Sequence, residues 1–395
     1  LDRRLEAGKL TIAALRAFAE RLARFHADQP PVLPPTAADV AVTAAFENFE
    51  ELERHLDASE LAALASLRDW THERAATAAQ AIARRAEQGR YRECHGDLHL
   101  ENLLVLDDEI VPFDALEFDR SLRDIDVLSE AAFLAMDLAA HGRPDLQYDF
   151  LTRYLEASGD YDGVDVLRFY LVYRALVRAK VRAIKAAQKS AESGRTALQP
   201  YLSTAMAVIA PRSPLLVITH GLSGSGKTYV TQALVGQLQA LRVRSDLERK
   251  RLHGLGPEAR SGSAVGAGLY GPRESERTYA RLAEIARRAL DAGFDAIVDA
   301  TFLRRAERAT FRQVAEAAGS RFAILDCAAD EAVLRARVAA REAAGRDASE
   351  AGIAVLERQL EMHEPLGPEE RPSAVRVATE REPDFASIAR KLAAR

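Results

Sequence analysis

The string Gly221-Leu222-Ser223-Gly224-Ser225-Gly226-Lys227-Thr228 constrains this chain more than any other feature. The spacing G-x-x-x-x-G-K-[ST] suits one local shape: a strand that ends, a loop whose backbone N–H groups turn inward, and a helix that begins. Such a loop cradles phosphates, because its amides and the positive helix N-terminus both favour an anion. The flanks agree, since residues 216–219 read as an apolar strand and 229–241 as an amphipathic helix. Gly221, Ser223, Gly224, Ser225 and Gly226 would form the cradle and Lys227 would reach the outer phosphates. Thr228 would offer its hydroxyl to Mg²⁺, so ATP and Mg²⁺ are the expected cofactors.

A wider pattern surrounds the loop. Short apolar segments at 215–219, 242–244, 296–298, 322–326 and 375–378 alternate with amphipathic helices. This predicts an α/β domain with a five-stranded parallel sheet covered on both faces. The earlier half has another texture. Residues 1–92 read as helical throughout, broken by Pro30, Pro31, Pro34 and Pro35. A strand–loop–strand follows at 103–106 and 110–113 around Asp107-Asp108, helices return near Asp124, and 164–188 reads as one long helix with a basic face. The expected boundary lies near residue 212, giving domains 1–205 and 213–395.

Composition narrows the partners. A chain of 395 residues suits two or three domains, and 29% charged residues suit a folded, water-exposed protein. A net charge of −5 gives no global attraction for nucleic acid or anionic lipid. No apolar run approaches membrane-spanning length, so no membrane partner is expected. Cys94 and Cys327 lie too far apart in sequence for a disulfide framework, which fits a cytoplasmic location. His26, His99, His220 and His253 lack ligand spacing and read as loop or core histidines.

Three segments near the loop carry candidate chemistry. Asp246, just past the second strand of the sheet, stands where it would accept a proton from an attacking hydroxyl; the alternative is a helix cap. Arg249, one turn on, would hold an anionic group. Asp299 ends an apolar strand, as a Walker-B-type group requires, and would act on the metal's water shell or on the substrate; the alternative is a strand-terminal turn residue. Arg335, Arg337, Arg341 and Arg346 lie on a basic helix, with Arg337 and Arg341 on one face; it reads as a lid over ATP or as a solvated face. Residues 214–395 resemble the small P-loop kinases of the polynucleotide kinase, gluconate kinase and zeta-toxin kind. That resemblance implies Asp246 as the group activating the acceptor hydroxyl, with Arg337 and Arg341 on the phosphates.

A second signature is His95-Gly96-Asp97-Leu98-His99-Leu100-Glu101-Asn102, followed by Phe113-Asp114. It has the order of a kinase catalytic loop and a metal-binding aspartate. With His-Gly-Asp wording, residues 10–205 resemble aminoglycoside phosphotransferases. The resemblance implies a helix-rich protein-kinase-like C-lobe in which Asp97 is the base, Asn102 and Asp114 are Mg²⁺ ligands, and Asp126 braces the loop. One departure stands out: before His95 the only lysine is Lys9 and the only glycines are Gly8 and Gly89, so the N-lobe clamp on the phosphates is absent. The chain opens at Leu1 without a methionine, and the expectation is either a longer natural protein that supplies the lobe or a catalytically inert remnant. The whole chain resembles bacterial fusions of these two domains. The expected function is transfer of the γ-phosphate of ATP to a hydroxyl of a small metabolite or sugar-like compound. The rivals are a nucleotide-sensing regulator with slow ATPase, a polynucleotide 5′-hydroxyl kinase and, disfavoured by Asp246 and the arginine-rich lid, a motor-type ATPase.

Overall fold

A computed structural model describes the chain except residues 34–36, 188–190, 257–258, 260–270 and 345–350. Pro34, Pro35, Ser190 and Arg346 thus lie outside the described residues. The chain divides into two compact units, Leu1–Pro211 and Arg212–Arg395.

The first unit is mostly helical: α1 (Asp2–Glu6), α2 (Ile12–Asp28), α3 (Ala37–Glu53), α4 (Ala58–Glu87), β1 (Tyr91–Glu93), β2 (Leu103–Leu106), β3 (Glu109–Pro112), β4 (Asp124–Asp126), α5 (Val127–Ala140), α6 (Pro144–Ser158), α7 (Val164–Ala187) and α8 (Ala191–Ile209). Helix α2 buries Leu15, Phe18, Leu22 and His26 at helical spacing, and its Thr11 cap accepts from the Ala14 N–H. The stretch from Leu52 to Gln88 is interrupted, because Asp57 and Glu60 form a reciprocal cap, each accepting the other's N–H at 2.9–3.0 Å, and start α4 there. Strands β2 and β3 pair antiparallel through Asp107 and Asp108, both at positive φ, as a two-residue hairpin turn requires. Residues 124–126 are a strand rather than the start of a helix. They pair with β1, and Asp126 caps α5 from the strand end. Helix α5 is buried along most of its length and forms the centre of this core.

The second unit carries β5 (Leu215–His220), α9 (Lys227–Leu238), β6 (Ala240–Arg244), α10 (Ser245–Leu252), α11 (Pro272–Asp291), β7 (Asp295–Asp299), α12 (Arg305–Ala317), β8 (Arg321–Ala328), α13 (Glu331–Ala344), α14 (Ile353–Met362), β9 (Ala374–Ala378) and α15 (Phe385–Ala393). The sheet has order β6-β7-β5-β8-β9 with every pairing parallel. All six residues of β5 are buried, and each fully buried Leu, Val or Ile contributes about 1.5–3 kcal/mol. Helix α9 stops earlier than its periodicity predicts: Gln239 adopts a left-handed conformation, and Ala240 and Leu241 enter the sheet opposite Asp295 and Ala296. Among the described residues no helix is long and apolar enough to cross a membrane.

Candidate functional site

The loop between β5 and α9 is shaped by backbone that only glycine tolerates. Gly221 has φ 145°, and a Cβ there would sit 2.4 Å from the Cys327 carbonyl. Gly224 has φ 83°, and a Cβ would meet the Leu334 carbonyl at 2.8 Å. The loop therefore lies flat against neighbouring backbone. Lys227 Nζ donates to the Leu222 carbonyl at 2.8 Å, curling over the loop. Burial pulls its pKa below the ordinary lysine value, and Arg341 adds to this, while Asp299, Cys327 and Asp246 oppose it. Lys227 opens the helix after β5, Asp246 lies in the first turn after β6 and Asp299 ends β7, so the three stand at the carboxyl side of neighbouring parallel strands.

Asp299 ends β7 and is buried. It accepts from Thr231 Oγ1 at 3.2 Å, and the same hydroxyl lies 3.2 Å from the Thr228 carbonyl. A hydroxyl of α9 therefore ties Asp299 to the turn that carries Thr228. These hard oxygen donors fit Mg²⁺. Asp246 is partly exposed in the first turn of α10, whose cap position belongs to Arg244 and has no side-chain cap bond. Arg249, three residues on, donates to Ser275 Oγ at 3.3 Å and lines a cavity of about 520 Å³ with Tyr279, Thr301, Glu307 and Gln359. Burial raises the Glu307 carboxyl above its usual range.

The two candidate lid arginines on α13 are both engaged. Arg337 donates to the Gly224 carbonyl at 3.3 Å and to Thr379 twice, and Arg341 donates to the Ala351 carbonyl at 2.7 Å. Sequence reasoning missed Thr379, whose hydroxyl donates to the Ser225 carbonyl at 3.0 Å, and Gln359, whose Oε1 accepts from the Ser223 N–H at 2.8 Å. No local pattern marks either residue.

In the first unit, Asn102 Nδ2 donates to Asp97 Oδ2 at 2.9 Å, and His99 Nε2 lies 3.2 Å from the same oxygen. Burial pushes the Asp97 pKa up, but the bonds from His99 and Asn102 and the field of Arg178 bring it below the usual carboxylate value. The Phe113 N–H donates to the Asn102 carbonyl, and the Phe113 carbonyl lies 2.8 Å from His95 Nε2, so exposed Asp114 is tethered beside the loop. Asp126 does not touch that loop. It accepts from Arg85 and from Tyr170 and joins α4, α5 and α7. The bracing acids are Glu130, which accepts from the Gly96 N–H, and Asp137, which accepts from the Leu100 N–H, both at 2.8 Å and fully buried. The basic face of α7 is divided, with Lys185 exposed and Arg182 half-buried. Arg174 and Arg178 are buried, and Arg178 meets His99 at 2.9 Å and Glu101 at 2.8 Å. His26 packs beside Cys94 and Glu130, bonded to Glu130 at 2.7 Å and Tyr154 at 2.9 Å, as a satisfied core histidine.

Residues 216–366 match the AAA domain family AAA_33. Among solved structures, the chain is similar to a sugar kinase from Janibacter (19% identity, TM-score 0.36, covering 46% of this chain and 95% of that one). It is also similar to a gluconokinase from Sinorhizobium meliloti (22%, TM-score 0.32, 47% and 92%). A third is the APS kinase of Mycobacterium tuberculosis in complex with AMPPNP and APS (20%, TM-score 0.33, 47% and 98%). Over 375 residues the chain is 30% identical to the uncharacterized protein Rv2004c of Mycobacterium tuberculosis H37Rv, covering 92% of this chain and 75% of that protein. The uncharacterized protein Mb2027c of Mycobacterium bovis matches to the same extent. With that identity across both units, and with a P-loop held between β5 and α9, the chain belongs to the family of the mycobacterial protein Rv2004c.

Proposed function

We propose that residues 213–395 transfer the γ-phosphate of ATP to a hydroxyl of a small metabolite or sugar-like compound. The observation that carries this reading is the placing of Lys227, Asp246 and Asp299 after or at the carboxyl ends of the neighbouring parallel strands β5, β6 and β7, with Arg249 of α10 lining a cavity able to hold an acceptor. Lys227 stabilises charge on the outer phosphates, and Asp246 takes the proton of the acceptor hydroxyl. Thr228 and Asp299 would hold Mg²⁺ and its water shell, and the bound ion would neutralise developing phosphate charge. Arg249 at the cavity wall favours an acceptor with an anionic group. Arg341, within the field of Lys227, adds positive charge over the phosphates.

We infer in addition that the first unit is built like the C-lobe of an aminoglycoside phosphotransferase. Support comes from the Asp97–Asn102 bond and the tethering of Phe113-Asp114 beside it. Without a phosphate clamp in this chain, that unit acts as a ligand-binding partner of the P-loop domain, or as a kinase whose clamp lies elsewhere. A cytoplasmic location, suggested by the free and buried Cys94 and Cys327, is part of the same reading.

The test is acceptor-dependent ADP release by the full chain across a panel of metabolites, aminoglycosides and 5′-hydroxyl oligonucleotides. One-for-one consumption of a small hydroxyl compound with ATP is the expected result. Slow ATP hydrolysis that no acceptor changes would favour the nucleotide-sensing regulator, and oligonucleotide phosphorylation would favour the polynucleotide kinase.

A further inference from the structure

Helix α14 touches the P-loop and the acceptor cavity at once. Along one side, Leu356 is fully buried in a cluster with Leu334 and Val338 of α13, and Leu222 of the P-loop packs on that cluster. Along another, Val355, Arg358, Gln359 and Met362 line the 520 Å³ cavity at the i, i+3, i+4, i+7 spacing of one helix face. Gln359 belongs to that face and also accepts from the Ser223 N–H at 2.8 Å. A backbone N–H only donates, so the side-chain atom facing it is the amide oxygen.

The Ser223 N–H is one of the inward donors that a P-loop offers to phosphate. Lys227 opens α9 at the inner end of the cradle, whereas Ser223 is bonded to Gln359, a residue of the acceptor-cavity wall. The phosphate facing that cavity in a transfer reaction is the terminal one. We propose that Gln359 is a phosphate-competing latch: its oxygen stands where a terminal phosphate oxygen of ATP binds, and ATP, unlike ADP, displaces it and thereby resets the α14 wall of the acceptor cavity. This rests on the ATP-binding reading of the P-loop given above.

The physical basis is competition for one donor. A phosphate oxygen carries charge and makes the stronger bond, so ATP wins the N–H from a neutral amide. A ligand shifts a conformation only by its differential affinity for the two arrangements. Here the difference between ATP and ADP is the one phosphate that competes with Gln359. Displacing Gln359 leaves α14 held by its apolar seam and the surface pair of Glu357 with Arg335, and its cavity-facing side chains move with it. Acceptor binding is then coupled to the arrival of ATP, and ADP leaves the latch closed.

The experiment is equilibrium binding of AMPPNP and ADP, with Mg²⁺, to the full chain and to Gln359→Ala and Gln359→Glu, by calorimetry. Removing the competitor in Gln359→Ala should tighten AMPPNP by about threefold to tenfold and leave ADP unchanged. The carboxylate of Gln359→Glu still accepts from Ser223 but repels the terminal phosphate, so AMPPNP should weaken by about tenfold or more and ADP by less. An unchanged AMPPNP-to-ADP ratio in both variants overturns the latch. So does equal weakening of both nucleotides with a lower melting temperature, which would make Gln359 a simple brace of the loop. Failure of the wild-type chain to bind either nucleotide would instead remove the P-loop reading itself, a result distinct from an unchanged ratio.

Discussion

Arg337 and Thr379 hold each other twice, through a guanidinium bond to the Thr379 hydroxyl at 3.0 Å and another to its carbonyl at 2.6 Å. Because Thr379 also donates to Ser225 and Arg337 to Gly224, the pair clamps the outer limb of the P-loop to the end of β9. Arg337→Ala should therefore cost about 1–3 kcal/mol of stability by leaving these carbonyls without their donor. Urea denaturation measures it. A variant of wild-type stability but slowed turnover would assign Arg337 to the phosphates alone.

Lys227→Ala should abolish ATP turnover by the chain while leaving it folded. Its ammonium bonds one loop carbonyl and, on the proposed reading, serves transferred charge, so circular dichroism should be unchanged. The same variant interrogates the first unit, in which Lys9 is the only lysine ahead of His95. Residual transfer that Asp97→Ala then removes would reveal a second working site.

Asp246→Asn should slow acceptor-dependent transfer by about a hundredfold or more, with nucleotide affinity nearly unaltered, since the amide cannot accept the proton. Arg244 occupies the cap position of α10, so little stability should be lost. Normal turnover with a lowered melting temperature would rule out the base role.

Arg85 bonds Asp126 at 2.6 and 2.7 Å and Asp160 at 2.7 and 2.8 Å, with all three side chains buried. Arg85→Ala leaves buried Asp126 without its counter-charge and Asp160 with only Arg90 at 3.6 Å, and should destabilise the first unit by about 3–5 kcal/mol. Denaturation that is indistinguishable from wild type would show that the acids find other donors.

Glu101 is partly buried, which raises its pKa, but bonds from Arg178 and Arg182 outweigh this and bring it down to about 2. A depressed carboxyl contributes stability that is present above its unfolded value, about 4.3, and is lost as pH falls through the folded one. Wild type should exceed Glu101→Gln in stability above about pH 4.3, and the two should converge near pH 2. Melting curves across that window decide it, and parallel curves would place the acid sensitivity elsewhere.

Much of the second unit could be read residue by residue because its causes are local. Positive φ at Gly224 and Gly226, the helix starting at Lys227 and five apolar strands all follow from neighbours within a few positions. The hairpin at Asp107-Asp108 and the Asp97-to-Asn102 spacing were legible for the same reason. Strands β1 and β4 were not, since three residues show no period and become strands only by pairing with each other. Periodicity placed Arg174 and Arg178 on one face of α7 but carried nothing about what that face meets. Packing turned Arg174 and Arg178 inward, Arg178 onto the His99–Glu101 segment, where partly buried Glu101 and aromatic rings satisfy the charge. Glu130, Asp137, Thr379 and Gln359 looked like ordinary helix or strand-end residues in sequence. Their partners lie far away along the chain, up to 154 positions for Thr379 and Ser225. The sequence alone thus determined the shape and place of the P-loop, because that loop is a local backbone shape. Which side chains grip that loop was decided only by tertiary structure, because a hydrogen bond between distant segments exists only once packing has brought them within about 3 Å.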